Sequence, residues 1–136
     1  MAKAILLVDD EPMIREVVQE KLSRFGEVFY QAGNGVEALA LLAKHKDIAI
    51  VVSDIKMPMM DGVQLIKEAR LKGYQQPFIF FTAFATRETL SEVSRHGVYG
   101  FIEKGQMEGL EESIMAGLHD VSSDVASMKD TLDNLD

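Results

Sequence analysis

Residues 48–54 read IAIVVSD, an apolar run that ends in a serine and an acid. A run of this kind, rich in β-branched residues and without polar alternation, is typical of a strand that is buried on both faces. Such strands occur in parallel sheets whose two faces are covered by helices. Ligands bind beyond the carboxyl ends of strands in these sheets, and Asp54 follows the end of this one.

The same pattern recurs on both sides of this stretch. Similar apolar runs predict further strands near residues 4–8, 27–31, 77–81 and 98–102. Helical patterns between the runs predict helices near 12–24, 35–44, 62–72 and 87–96, and a fifth helix that begins near residue 107. Pro12 suits a first helical turn, and Gly26, Gly73 and Gly97 each follow a helical stretch. Alternating strands and helices predict an α/β fold with a parallel sheet.

Composition limits the classes of function. A chain of 136 residues favours one domain with a single core, and no apolar stretch is long enough to span a bilayer. The absence of cysteine excludes disulfides and thiolate metal sites, so the simplest location is the cytoplasm. The net charge of −8 argues against direct binding of nucleic acid and favours proteins or a cation as partners.

The last part of the chain has a different pattern. From Ile114 to Leu135 apolar residues recur every three or four positions, which is typical of a heptad seam. We therefore predict one domain over residues 1–119 and an acidic extension over 120–136. Two interpretations of the extension stay open. It can continue the fifth helix and form a homodimer, or it can be a frayed tail or linker, because many of its residues are poor helix formers.

Polar side chains stand at the ends of four of the apolar runs. They are Asp9 and Asp10, Asp54, Thr82 and Lys104. Because the carboxyl ends of parallel strands meet at one edge, we expect these groups to converge. Three carboxylates suit Mg²⁺, whereas a hydroxyl and an ammonium suit the oxygens of a phosphoryl group. Asp54 is the candidate nucleophile, since a carboxylate can accept a phosphoryl group as an aspartyl phosphate.

Two of these acids also have simpler interpretations. Asp10 precedes Glu11 and Pro12, where an N-cap residue of the first helix belongs, and both roles can hold together. Asp54 by itself is equally consistent with a residue that caps a loop. Crowding of the three carboxylates is expected to raise the pKa of at least one of them in the absence of a cation.

At this point the chain closely resembles the receiver domains of two-component response regulators. The resemblance covers about residues 3–118 and rests on five stretches. They are LLVDDE at 6–11, GVEAL at 35–39, SDIKMPMMDG at 53–62, FFTAF at 80–84 and YGFIEK at 99–104.

The resemblance implies a flavodoxin-like sheet of five parallel strands in the order 2-1-3-4-5. It implies that Asp54 takes a phosphoryl group from a phosphohistidine on a sensor histidine kinase or a phosphotransfer protein. Mg²⁺ would be held directly by Asp10 and Asp54, through water by Asp9, and by the backbone carbonyl of Lys56.

The resemblance also implies a switch. Thr82 and Lys104 would hold the phosphoryl group, and Phe101 matches the aromatic residue that turns inward as the threonine moves. The change would be relayed through the face made by the fourth helix, the fifth strand and the fifth helix to a downstream protein. The domain would itself catalyse only phosphotransfer and dephosphorylation.

Three positions depart from the family pattern or tune it. Gly105 stands where the family usually has proline after the lysine, so we expect a trans bond between Lys104 and Gly105, since a cis bond there would cost about 2.5–4 kcal/mol. Lys56 and Phe84 occupy the variable positions two residues after Asp54 and Thr82. A lysine that binds the phosphoryl group and a bulky ring that shields it predict slow loss of the group to water.

Other classes of function remain as alternatives. A pseudo-receiver would bind partners without phosphoryl chemistry. A phosphatase that uses an aspartyl phosphate would want an acid two residues after the nucleophile, where the chain has Lys56. The chain can also be the N-terminal part of a longer response regulator.

Overall fold

A computed structural model describes residues 3–25, 28–83, 86–105, 109 and 111–114 of the chain. Five strands form one sheet: β1 (Ala4–Val8), β2 (Val28–Ala32), β3 (Ile48–Ser53), β4 (Phe78–Thr82) and β5 (Val98–Glu103). Every neighbouring pair is parallel, and the order across the sheet is β2-β1-β3-β4-β5. The predicted fold class and strand order are therefore confirmed.

Helices connect the strands in the predicted alternation. They are α1 (Pro12–Leu22), α2 (Gly35–Lys44), α3 (Gly62–Leu71) and α4 (Arg87–Ser94). Residues 109 and 111–114 are also helical, within the segment predicted as the fifth helix. The extension over 120–136 and its heptad seam lie outside the described residues, as do Gly26 and Phe84. None of the described helices combines the length and apolarity needed to cross a membrane.

The sheet separates two apolar cores, because successive side chains of a strand point to opposite faces. In β1, Leu6 and Val8 join the core under α2, α3 and α4, whereas Ile5 and Leu7 join the core under α1. Ile114 is buried in this second core, so the helical residues after β5 cover the same face as α1. Both faces of β1 are fully buried, as the unbroken apolar run predicted.

The ends of all these strands and helices agree with the predictions to within two residues. Gly73 and Gly97 follow α3 and α4 with φ of 85° and 80°, a left-handed conformation that glycine adopts without strain, as predicted. The simpler interpretation of Asp10, as the N-cap residue of α1, is wrong. Glu11 is the N-cap residue and makes no side-chain cap, and its backbone N–H donates instead to Asp9 Oδ1 at 2.9 Å. The side-chain contact at this turn is therefore made by Asp9 and lies just before the helix.

Candidate functional site

The carboxyl ends of four strands bring the predicted polar residues to one edge of the sheet. Asp9 and Asp54 directly follow β1 and β3, Thr82 is the last residue of β4, and Lys104 directly follows β5. Asp9, Asp54 and Thr82 are buried, whereas Asp10 is exposed. One carboxylate oxygen from each of the three acids lies within 4.8 Å of the others. This donor set has the hard oxygen ligands and the negative charge that suit a divalent cation such as Mg²⁺.

The ammonium group of Lys104 lies between the two buried acids. Its Nζ is 2.9 Å from Asp54 Oδ2 and 3.0 Å from Asp9 Oδ2, with Glu11 Oε1 farther away at 3.8 Å. Burial alone would lower the pKa of Lys104, but its hydrogen bonds to Asp54 and Asp9 outweigh burial and raise that pKa. The lysine is therefore firmly cationic and neutralises part of the charge of the acids.

Lys104 stabilises the ionised form of Asp9 only in part. Burial is the largest effect on its carboxyl and raises the pKa, and the charge of Asp54 raises it further. The hydrogen bond from the Glu11 backbone and the contact with Lys104 lower the pKa but do not cancel the rise. The expected rise in one carboxyl pKa is thus present, although burial contributes more than repulsion between the acids.

Backbone contacts hold Asp54 in a single orientation. Its N–H donates to the Val8 carbonyl at 2.8 Å, and its Oδ1 accepts from the Ile55 N–H at 2.7 Å. Gly62 makes this loop turn possible, because a Cβ atom at that position would lie 2.3 Å from the Asp54 carbonyl oxygen. With Oδ1 bound to the loop and Oδ2 facing Lys104, the carboxylate combines the loop-capping contact with a place in the acid cluster.

The remaining predicted residues surround this core of the site. The backbone N–H of Lys104 donates to the Thr82 carbonyl at 3.1 Å, which links the ends of β4 and β5. The Lys56 side chain is exposed. Phe101 is half-buried, and its ring stacks on Phe80 with centroids 6.0 Å apart. The bond between Lys104 and Gly105 is trans, since the described part of the chain contains no cis peptide, and this agrees with the prediction.

Two residues at this edge were not predicted from the sequence. Glu11 binds Asp9 through its backbone and approaches Lys104 through its side chain. Arg15 donates from Nη1 to the carbonyl oxygen of Asp9. An arginine one turn into a helix that follows an acid pair is a weak signal in a sequence, because most such side chains are solvated.

Comparison with known proteins agrees with this geometry. The family model described as the response regulator receiver domain matches residues 5–115. The chain therefore belongs to this family and is a receiver domain of two-component response regulators. Domains of this family are signalling domains rather than classical enzymes, and they interact with histidine kinases and downstream effectors.

Particular relatives are similar over most of the described chain. The regulatory protein AtoC of Escherichia coli K12 is 39% identical over 101 residues, which are 74% of this chain but only 22% of AtoC. The chemotaxis protein CheY of Halobacterium salinarum is 32% identical over 121 residues, or 89% of this chain and 98% of that protein. A solved CheY-like receiver domain from Methanospirillum hungatei JF-1 aligns with a TM-score of 0.82 at 26% identity, covering 90% of this chain and 98% of that one.

Proposed function

We propose that Asp54 accepts a phosphoryl group and that the domain acts as a phosphorylation-dependent switch. The donor is a phosphohistidine on a sensor histidine kinase or a phosphotransfer protein. The observation that carries the proposal is the position of Lys104 Nζ, 2.9 Å from Asp54 Oδ2, beside three acids whose oxygens lie within 4.8 Å of one another. An ammonium beside a clustered set of acids suits the joint binding of a cation and a phosphoryl group. A donor of this class is consistent with the predicted cytoplasmic location.

Mg²⁺ is the cofactor that fits the donor set best. Asp9, Asp10 and Asp54 would hold it, together with the backbone carbonyl of Lys56. The ion would supply positive charge that lets an anionic phosphoryl group approach the carboxylates. The exposed position of Asp10 leaves this side of the cluster open to solvent, and the raised pKa of Asp9 reflects a carboxylate that lacks full compensation from the protein.

In the transfer step a carboxylate oxygen of Asp54 attacks phosphorus. The new P–O bond forms as the P–N bond to the donor imidazole breaks, and the electron pair of that bond stays on the imidazole nitrogen, which then takes up a proton. Lys104 stabilises the phosphoryl oxygens by charge, and the Thr82 hydroxyl donates to one of them. The Ile55 N–H keeps Asp54 Oδ1 bound to the loop, so the carboxylate enters the reaction already oriented.

The same contacts provide a route from the site to the surface. Phosphorylation changes what Lys104 and Thr82 bind, and these two residues are joined through the backbone where β4 and β5 end. Phe101 of β5 pairs in register with Phe80 of β4, and their rings stack. Phe80 is two residues before Thr82 in the same strand, so movement at Thr82 is expected to change the packing of Phe101. The readout would then pass through α4, β5 and the helix that follows to a downstream protein. A homodimer through that helix remains part of the proposal.

Intact-protein mass spectrometry tests the proposal directly. The wild type is incubated with acetyl phosphate, with and without Mg²⁺, beside Asp54→Asn and the control Asp61→Asn. Asp61 is exposed and caps α3 by accepting from the Gln64 N–H, so it shares the loop but not the cluster. We expect one Mg²⁺-dependent phosphoryl group on the wild type and the control, and none on Asp54→Asn.

The other outcomes identify the alternatives. A folded wild type that binds Mg²⁺ but takes no phosphoryl group from either acetyl phosphate or a phosphohistidine donor would indicate a pseudo-receiver. Turnover of a phosphate ester would indicate a phosphatase, for which the exposed Lys56 stands where an acid is wanted. Slow loss of the group from Asp54 is expected, and loss within seconds without a phosphatase would contradict the roles given to Lys56 and Phe84.

A further inference from the structure

Arg15 joins three elements at the acid edge of the sheet. Its Nη1 donates to the backbone carbonyl oxygen of Asp9 at 2.5 Å, and its Nε donates to Gln31 Oε1 at 3.0 Å. Gln31 donates in turn to Gln19 Oε1 at 2.7 Å, on the same helix as the arginine. One planar guanidinium therefore connects α1 both to the residue that follows β1 and to a side chain of β2.

The contact with Asp9 complements those made by its carboxylate. Asp9 Oδ1 accepts from the Glu11 N–H at 2.9 Å, and Asp9 Oδ2 lies 3.0 Å from Lys104 Nζ. The carbonyl end of the same residue is held by Arg15, and the following residue, Asp10, is exposed and makes the other carboxylate of the pair. The carbonyl that Arg15 binds thus belongs to the peptide that joins the two acids.

From these contacts we infer that Arg15 is a positioning residue for the cation site. By holding the Asp9 carbonyl it fixes the backbone between the two acids, so that their carboxylates already point into the cluster when a cation arrives. The inference rests on the proposed function, which assigns Mg²⁺ to these acids. Residues that orient metal ligands without touching the metal commonly change affinity about 10- to 100-fold when they are replaced.

A positioning role and a simple charge effect predict opposite results. Arg15 is itself a cation near a site for a cation, so its charge alone opposes Mg²⁺ binding. If charge were its only influence, removing it would tighten Mg²⁺ binding. If its contacts orient the acids, removing it weakens binding, and the sign of the change distinguishes the two explanations.

Isothermal titration of Mg²⁺ into the wild type, Arg15→Met and Arg24→Met measures that sign. Methionine keeps much of the length of the arginine stem and removes the donors. Arg24 lies just after the same helix, but it pairs with Glu111 and stacks on Phe25 rather than binding Asp9. We expect binding about 10-fold weaker in Arg15→Met, the lower end of the usual range because the contact is to backbone. The control loses the same charge and is expected to bind as tightly as the wild type or slightly more tightly.

Two further variants separate geometry from charge. Arg15→Lys keeps the charge but has no planar fork to bind Asp9 and Gln31 together, so we expect it to restore only part of the affinity. Gln31→Leu removes one anchor of the guanidinium and is expected to weaken Mg²⁺ binding in the same direction by a smaller factor. Hydrogen exchange gives a second measurement that needs no metal. The Glu11 amide donates to the Asp9 carboxylate, and we expect it to exchange faster in Arg15→Met because that carboxylate is less well held.

The outcomes are separable from those of the proposed function. Wild-type affinity, or tighter binding, in a folded Arg15→Met would overturn the inference, and so would an equal loss in Arg24→Met. If Arg15→Met did not fold, Gln31→Leu would decide the same question, since Gln31 is exposed on an edge strand. A folded wild type that binds no Mg²⁺ at all would instead overturn the proposed function itself.

Discussion

Two lysine–carboxylate contacts in this molecule have the same chemistry and different surroundings. At the site, Lys104 lies between Asp9 and Asp54, whose side chains are only 7% and 6% exposed. Between α3 and α4, Lys67 pairs with Glu92, and both side chains are 42% exposed. Water solvates the second pair well and the first pair poorly, so the two contacts are expected to contribute differently to the free energy of unfolding.

Burial also changes what each contact does to its carboxyl groups. The hydrogen bond from Lys67 lowers the pKa of Glu92, as expected for an acid with a cationic partner in water. Asp9 has a cationic partner as well, yet burial raises its pKa. The negative charge of the acid cluster is therefore only partly neutralised by the protein, and this favours the binding of a cation there. The charges of Lys67 and Glu92 neutralise each other and are also solvated by water.

The largest expected effect comes from removing the lysine of the buried contact. Lys104→Met leaves Asp9 and Asp54 without their cationic partner, and we expect the free energy of unfolding to fall by about 2 kcal/mol in buffer that contains EDTA. Chemical denaturation measures the loss. Millimolar Mg²⁺ should restore much of this stability by binding the folded state alone. A variant as stable as the wild type in EDTA would show that the contact is energetically equivalent to the exposed one.

A gain in stability is expected when the buried carboxylate of Asp9 is replaced by a neutral group. The pKa of Asp9 is raised in the folded state, so its stabilising contribution is present at low pH and is lost as the pH rises through that pKa. At neutral pH the ionised group costs stability, and Asp9→Asn should raise the unfolding midpoint by a few degrees without Mg²⁺. The matched control is Asp10→Asn, on an exposed acid of the same cluster. Both variants should lose Mg²⁺ affinity, and a midpoint gain in both would contradict the role of burial.

A smaller effect is expected on the α3–α4 side, where His96 follows α4. Burial is the largest cause that lowers the pKa of His96, and the charges of Lys67, Arg70 and Arg95 lower it further. The charge of Glu92 has the opposite effect but does not cancel them. Because the unfolded chain then takes up a proton at higher pH than the folded one, this contribution to stability is complete above about pH 6.5 and is lost as the pH falls. Denaturation at several pH values should show a shallower acid dependence in His96→Gln. An unchanged dependence would place the loss at the carboxylates instead.

The smallest effect is expected for the exposed pair. Lys67→Met removes the partner of Glu92, but both groups are already well solvated and such pairs contribute little. Thermal unfolding should give a midpoint that is unchanged within error in both low and high salt. A loss comparable to that of Lys104→Met would remove the distinction between the two contacts.

Most of the architecture could be predicted from short patterns. Runs such as IAIVVS identified buried strands, and their spacing predicted the helices between them, because apolar periodicity is a local property of the chain. Convergence of Asp9, Asp54 and Lys104 followed from parallel topology, since the carboxyl ends of all strands lie at one edge. The first residues of all four helices were predicted correctly, whereas the last residues of three of them were one or two positions off. Capping contacts were harder to predict, because they depend on which nearby acceptor the backbone reaches, and before α1 that acceptor is Asp9 rather than Asp10.

Contacts between distant parts of the chain could not be predicted in the same way. Arg15 and Gln31 are sixteen residues apart, and no periodicity relates them. The close approach of Gly62 to the Asp54 carbonyl likewise depends on how the loop after β3 folds back before α3. Side-chain hydrogen bonds of this type depend on distances that arise only when helices have packed onto the sheet.

The sequence by itself determined which chemical groups stand at the ends of the strands, because each ends or follows an apolar run that is typical of a buried strand. It also determined that acids outnumber bases there and that a hydroxyl and an ammonium accompany them. Only the tertiary structure decided how these charges are solvated: Asp9 buried, Asp10 exposed, and Lys104 between two carboxylates. Solvation depends on the packing of the whole edge, and it is solvation that distinguishes this cluster from an ordinary surface ion pair.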